Sequence, residues 1–301
     1  MCTHDLRHVH RTLLRLWELQ DRGDMRVPSN QPCSLMRADI PKLSKRSYMV
    51  GPKADGTRAF LLFYRDASTG KPMGVLVGRN GVLQDVKMST MLGLYDGTLL
   101  DGELMPGGVY MAFDLVAIGG VPYRKQPLPV RLEKIKHVLE VTELRSLTAC
   151  IKPWFKHGEV GYRTIVDSIA PMACDGLVFV PVHGPLHPGT QTDQFKWKCA
   201  EKHTVDLLVG VDMRLWMGDS GGLVRVDERA NIAPTLHDPP SVLALEKPAI
   251  VECALTRGAG GWVASFLKLR HDKTRPNDTR TVVATVKNVA ENVLVTELMA
   301  Q

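Results

Sequence analysis

The chain has few cysteines, and they follow no pattern. The six, at 2, 33, 150, 174, 199 and 253, never form a C-x-x-C pair. That excludes a zinc ribbon and gives no disulfide framework. Such scatter fits a reducing compartment. Long apolar runs are missing too. No stretch approaches the roughly 20 residues that a membrane helix needs, so no membrane partner is expected. Histidines and arginines break up the first twenty residues, which argues against a secretory leader. Low-complexity tracts and internal repeats are absent. Acidic residues fall short of basic ones: 32 Asp and Glu against 38 Lys and Arg leave a net charge of +6. The excess is modest and suits a polyanionic partner without specifying one.

What is present is length, core and punctuation. The 301 residues allow one large domain or two ordinary ones, and an apolar content of 44 % supports a sizeable core. Leu6, Val9, Leu13, Leu16 and Trp17 recur at helical spacing over residues 3–20. His4, His8 and His10 read there as a polar helix face. "DRGDMRVPSNQP" at 21–32 reads as an irregular connector. From residue 47 the period becomes that of strands, and Asn80-Gly81 predicts a type I′ hairpin. "RLEKIKHVLEVTELRSL" predicts a helix with Leu132, Ile135, Val138 or Leu139, and Thr142 on one face. "CDGLVFVPV" reads as a strand buried on both faces, and "QTDQFKWKC" as another strand. Together these predict an α+β domain of antiparallel sheets with helices over residues 1–203. Beyond it, "LLVGVDMRLWM" alternates Val209, Val211, Met213, Leu215 and Met217 on one side. Short strands between Gly- and Pro-rich turns predict a small barrel over 204–278. Asn277 or Asp278 can cap a last helix, within 279–301, that carries Val282, Val286, Val289 and Val293.

The stretch "VGPKADGTRAFLLF" (50–63) raises the chemical question. Taken alone, Asp55-Gly56 is a turn with solvated neighbours. Taken with the rest of the chain, it opens an ordered series at strand ends: "KADGTR", "DGEL" (101–104), "YMAFDLV" (110–116), "DGLVF" (175–179), "KWK" (196–198) and "RHDKTRPN" (270–277). The series resembles the covalent nucleotidyltransferases, the superfamily of mRNA capping guanylyltransferases and ATP-dependent polynucleotide ligases, over about residues 28–295. "QPCSL", "FDLVAIGG" and R-x-D-K-x-x-P-N followed by a terminal helix resemble the capping branch, particularly its compact viral members. Two positions depart from that branch. Cys33 stands where valine is usual, and Asp175 stands where glutamate often precedes the glycine.

The resemblance implies a nucleotidyltransferase domain, ATP-grasp-like in its antiparallel sheets and helices. It also implies an OB-fold barrel and a terminal helix packing back on the first domain. It makes Lys53 the nucleophile, forming a lysyl–GMP phosphoramidate from GTP. A lysine attacks only when deprotonated, so neighbouring positive charge or burial must help. Lys196 and Lys198, two residues apart on a strand and so on one face, are assigned to the α-phosphate. Arg58 goes to the ribose, Glu103 to the ribose hydroxyls or a metal-bound water, and Arg79 to the nucleotide. Phe113 stacks on the purine, and Asp175 binds magnesium or manganese. Lys152, in "IKPWF", is assigned to guanine O6, since a donor-only ammonium favours guanine over adenine. Arg270, Asp272 and Lys273 reach the β- and γ-phosphates when the barrel domain closes.

The implied product is a GpppN cap on RNA that bears a 5′-diphosphate. No H-C-x₅-R phosphatase loop or paired glutamate strands appear, so a separate RNA triphosphatase and a separate cap methyltransferase are expected. The setting would be intracellular, in the nucleus or at a site of viral transcription. The rival readings are a small ATP-dependent DNA or RNA ligase and a non-catalytic nucleic-acid-binding protein.

Overall fold

A computed structural model of the chain describes residues 4–79, 81, 83–237 and 246–299. Asn80 of the expected hairpin lies outside the described residues. The chain divides into two compact units. One holds the chain up to Ser34, Pro41–Trp197 and the last residues from Met299; the other holds Leu35–Ile40 and Lys198–Leu298. No described helix is long and apolar enough to cross a membrane.

The first unit is built on two sheets. One has the order β1 (Asn30–Ser34), β14 (Gly189–Trp197), β13 (Cys174–Pro181), β2 (Tyr48–Ala54) and β12 (Phe155–Lys156). The other has the order β11 (Thr148–Ile151), β8 (Val109–Ile118), β7 (Thr98–Leu104), β3 (Thr57–Arg65), β4 (Pro72–Gly78) and β5 (Leu83–Asp85), with β9 (Val121–Pro122) against β8. Met88–Ser89 (β6) and Glu143–Leu144 (β10) form a separate ladder. The sheets are mostly antiparallel, as expected, but β1 runs parallel to β14 and β11 parallel to β8. The segment read as an irregular connector therefore ends in a strand.

Two-residue alternation explains why β3 is apolar throughout. Phe60, Leu62 and Tyr64 point to one core, with Val9, Leu13, Leu16 and Trp17 of the helix Leu6–Leu16 and its end. Ala59, Leu61 and Phe63 point to the other, with Ile135 and Val138 of the helix Leu128–Glu140. That helix stops at Glu140, so Thr142 lies beyond it. The three early histidines form neither an exposed polar face nor a metal site. His4 meets the Tyr64 hydroxyl, while His8 and His10 donate to the carbonyls of Arg65 and Arg26.

The second unit holds one antiparallel sheet, ordered β17 (Gly222–Arg225), β16 (Leu215–Asp219), β15 (Thr204–Val209), β18 (Ala249–Gly258) and β19 (Gly261–Leu269). Among the described residues this sheet does not close on itself. The run expected to alternate through Val211 and Met213 is instead a hairpin turn. Met213 donates to the Gly210 carbonyl with a positive φ of 63°, and Val211 is exposed. The helix Thr279–Glu291, which a short helix, Val295–Met299, follows, is capped by Asp278, which accepts from Thr281. Its Val282, Val283 and Val286 join the core of the second unit. Within that unit its apolar stripe faces β15, β16 and β18.

Candidate active site

Strand register gathers the predicted residues of the first unit. In β13, Gly176 lies opposite Lys53 of β2, and Val178 lies opposite both Gly51 of β2 and Lys196 of β14. Lys53, Arg58, Glu103, Phe113, Lys152 and Lys196 line one cavity.

Lys53 stands near the end of β2, with about a quarter of its side chain exposed. Its Nζ is 3.0 Å from Asp175 Oδ2. Two glycines make the surroundings. A Cβ on Gly56 would lie 2.8 Å from Glu103 Cγ, so the glycine admits the carboxylate, which accepts from the Gly56 N–H at 3.0 Å. A Cβ on Gly51 would meet the Pro153 carbonyl and the Trp154 ring at 3.0 Å. The bare backbone there lets the segment 152–154 approach β2.

Arg58 is held rather than free. Its Nε donates to Asp101 Oδ1 at 2.9 Å, and Nη2 reaches both the other carboxylate oxygen and Asn30 Oδ1. Nη1 donates to the Asn30 carbonyl. Asp101 is fully buried. Burial pushes its carboxyl up to about 6 while Arg58 pulls it back, so it is a carboxylate at neutral pH. Burial would lower the Arg58 guanidinium, but Asp101 overrides that and raises it above the ordinary arginine range.

Phe113 is half-buried on β8. The Arg58 Cζ and the Lys152 Nζ each lie 5.4 Å from its ring centre, and Lys152 Nζ is also 5.1 Å from that of Trp154. Both separations are within cation–π range. Lys152 is 5 % exposed. Burial lowers its ammonium to about 8, with Glu103 opposing the shift. Burial likewise raises the Glu103 carboxyl, against the pull of Lys152, Lys53 and Arg58.

Other expected residues lie elsewhere. Arg79 is exposed in the turn after β4. Lys198 falls beyond β14, which ends at Trp197, and belongs to the second unit. It therefore does not share a strand face with Lys196, because the chain leaves the sheet between them. Arg270, Asp272 and Lys273 are also in the second unit. The Arg270 guanidinium is engaged there by Asp272 at 2.9 Å, Asp206 at 2.7 Å and Glu252 at 3.3 Å. Asn277 pins the same strand from the other side of the motif. Its side chain accepts from the Asp206 N–H at 2.9 Å, and its own N–H donates to the Asp206 carbonyl at 2.7 Å.

No group of three or more potential ligands gathers among the described residues. Magnesium needs less from protein: one or two carboxylates, with waters and phosphates completing its shell. The Asp175 carboxylate, partly exposed beside Lys53, fits that requirement. Asp101, Asn30, Gly51, Trp154 and Gln194 also shape the site without having been predicted. Asp101, in "DGEL", carried a sequence signal. Asn30 and Gln194 meet only because β1 pairs with β14.

Residues 1–200 match the family described as mRNA capping enzyme, catalytic domain. The chain is 25 % identical to the mRNA-capping enzyme subunit alpha of Saccharomyces cerevisiae, across 90 % of this chain and 77 % of that protein. It is equally similar to the Schizosaccharomyces pombe subunit alpha, across 91 % and 79 %. An mRNA-capping enzyme of Caenorhabditis elegans is 24 % identical, across 90 % of this chain but 48 % of the relative. Carrying that catalytic domain over two thirds of its length, the chain belongs to the mRNA capping enzyme family.

Proposed function

We propose that the protein is an mRNA guanylyltransferase that works through a lysyl–GMP intermediate on Lys53. The observation that carries this is the Lys53 ammonium at 3.0 Å from Asp175, in a cavity that also presents Lys196, Glu103 and Lys152. The neutral Lys53 amine attacks the α-phosphorus of GTP. A P–N bond forms, the bond to the β-phosphate oxygen breaks, pyrophosphate leaves with the electron pair, and the nitrogen gives up one proton to solvent. In the second step a terminal phosphate oxygen of 5′-diphosphate RNA attacks the same phosphorus; the P–N bond breaks, its electron pair returns to the Lys53 nitrogen, which takes up a proton, and the cap forms.

Asp175 accepts a hydrogen bond from Lys53 in the resting protein, and so holds the nucleophile at the mouth of its strand. Lys196 is assigned to the α-phosphate, where charge builds in both steps. Lys198 is assigned to the same phosphate. Phe113 offers a ring face for the purine, a contact worth roughly 1–3 kcal/mol. Lys152 donates to guanine O6, Arg58 and Glu103 take the ribose, and Arg79 is assigned to the nucleotide. Magnesium or manganese at Asp175 would neutralise phosphate charge. Arg270, Asp272 and Lys273 act on the departing β- and γ-phosphates, for which Arg270 exchanges one of its carboxylates. The second unit, with its five antiparallel strands, is read as an OB-fold. Two yeast relatives are named as alpha subunits, which supports a separate triphosphatase chain; the cap methyltransferase is assigned to another protein.

Incubation with α-labelled GTP or ATP and a divalent metal tests the reading. Label from GTP should survive denaturing electrophoresis, and label from γ-labelled GTP should not. Preferential labelling from ATP would point to ligation instead.

A further inference from the structure

One residue lining the cavity carries a buried hydrogen-bond donor that the catalytic residues do not use. Gln194, on β14, is 1 % exposed and lines the cavity. Lys196, two residues on in the same strand, lines the same cavity. Gln194 Oε1 accepts from Asn30 Nδ2 at 3.0 Å, and Gln194 Nε2 has no partner among the described residues.

The orientation of this amide follows from chemistry. Arginine can only donate. Arg58 Nη2 contacts the Asn30 side chain, so Asn30 must present its oxygen there. Its Nδ2 then faces Gln194, which must answer with oxygen. The amide group of Gln194 is left over. A chain of fixed polarity thus runs from Asp101 through Arg58 and Asn30, and its last donor is Gln194 Nε2. Leaving such a group unpaired is costly, and a bound acceptor relieves that cost. A second buried donor without a partner, Trp154 Nε1, belongs to a residue lining the same cavity.

We infer that Gln194 is a nucleotide-positioning residue whose Nε2 donates to an acceptor on the purine ring of the bound nucleotide. The inference rests on the cavity being the GTP site proposed above. On this inference the nearly fully buried Gln194 stands at the cavity floor. Lys53, with about a quarter of its side chain exposed, is nearer the mouth. The phosphates must reach Lys53, so the ring is the part of the nucleotide that reaches the floor.

The test compares wild-type protein with Gln194→Met and with Gln194→Asn, whose shortened amide cannot reach as far. The KM and maximal rate of adduct formation are measured with GTP and with 2′,3′-dideoxyGTP. Both variants should raise KM for GTP about three- to tenfold and leave the maximal rate within about twofold. The same rise should appear with the dideoxy nucleotide, and inhibition by tripolyphosphate should be unchanged. Thermal melting and circular dichroism confirm the fold of each variant. An unchanged KM would overturn the inference. A loss that vanishes with dideoxyGTP would also overturn it, since the donor would then serve the sugar, directly or through Arg58. A matching loss of tripolyphosphate inhibition would reassign Gln194 to the phosphates and overturn it as well. Wild-type protein that forms no adduct would instead overturn the functional reading; quenching of tryptophan fluorescence by GTP would then report the Gln194 contact.

Discussion

A lysine ammonium buried between two aromatic rings loses hydration that the rings only partly replace. Burial accordingly lowers Lys152 from the ordinary 10.5 to about 8. Below that pH the side chain is donor-only and matches guanine O6. Above it the amine also carries a lone pair, which accepts from the amino group of adenine. The ratio of kcat/KM for GTP over ATP in adduct formation should therefore fall as pH rises through about 8. A group that serves both nucleotides alike cancels in the ratio. Lys152→Ala should weaken the preference and abolish its pH dependence. A preference that stays flat between pH 7 and 9 would remove Lys152 from the base site. The sign for stability follows from the same shift. The folded value lies below the unfolded one, so the buried ammonium costs stability below pH 8. That cost is relieved as pH rises from about 8 to 10.5.

Within the first unit, β3 joins core to chemistry: its middle is buried on both faces, and its first residues include Arg58. Leu61 is fully buried and packs in the cluster with Ile135 and Val138. Leu61→Ala should cost roughly 2–5 kcal/mol, as cavity-forming core changes do. Urea denaturation should show a lower midpoint with an unchanged slope. A loss under 1 kcal/mol would mean that the cluster collapses around the gap. Strand existence and most motif residues were legible in the sequence, because period-two patterns and short motifs are local. Lys53, Glu103 and Phe113 stand on strands, as their patterns imply. Neighbourhood was not legible. Asn30 and Gln194 are 164 residues apart in sequence and hydrogen-bonded in space, and nothing local announces a parallel pairing. Lys198 misled for the opposite reason: its spacing from Lys196 looks like strand alternation, but the strand has ended. Val211 and Met213 continue a period of two through what is a turn, since periodicity does not register where hydrogen bonding reverses.

At the scale of the whole protein, the two compact units divide the expected roles. On the proposed assignment, Arg270, Asp272 and Lys273 act only while GTP keeps its β- and γ-phosphates. Alanine at any of them should slow adduct formation by an order of magnitude or more. Transfer of GMP from a preformed adduct to diphosphate-ended RNA should change little. Lys196→Ala should slow both steps, since the α-phosphate takes part in each. Single-turnover measurement separates the half-reactions, and equal damage to both by the second-unit variants would assign those residues to RNA or to the fold. The covalent intermediate is the claim on which the rest depends, and intact-mass spectrometry after incubation with GTP and magnesium tests it most directly. Wild-type protein should gain the mass of one GMP, mapped by peptide analysis to Lys53, and lose it in acid but not in alkali. Lys53→Ala should gain nothing, nor should Lys53→Arg, whose guanidinium stays protonated and cannot attack. A GMP adduct retained in either variant, or mapped to another residue, would contradict the account.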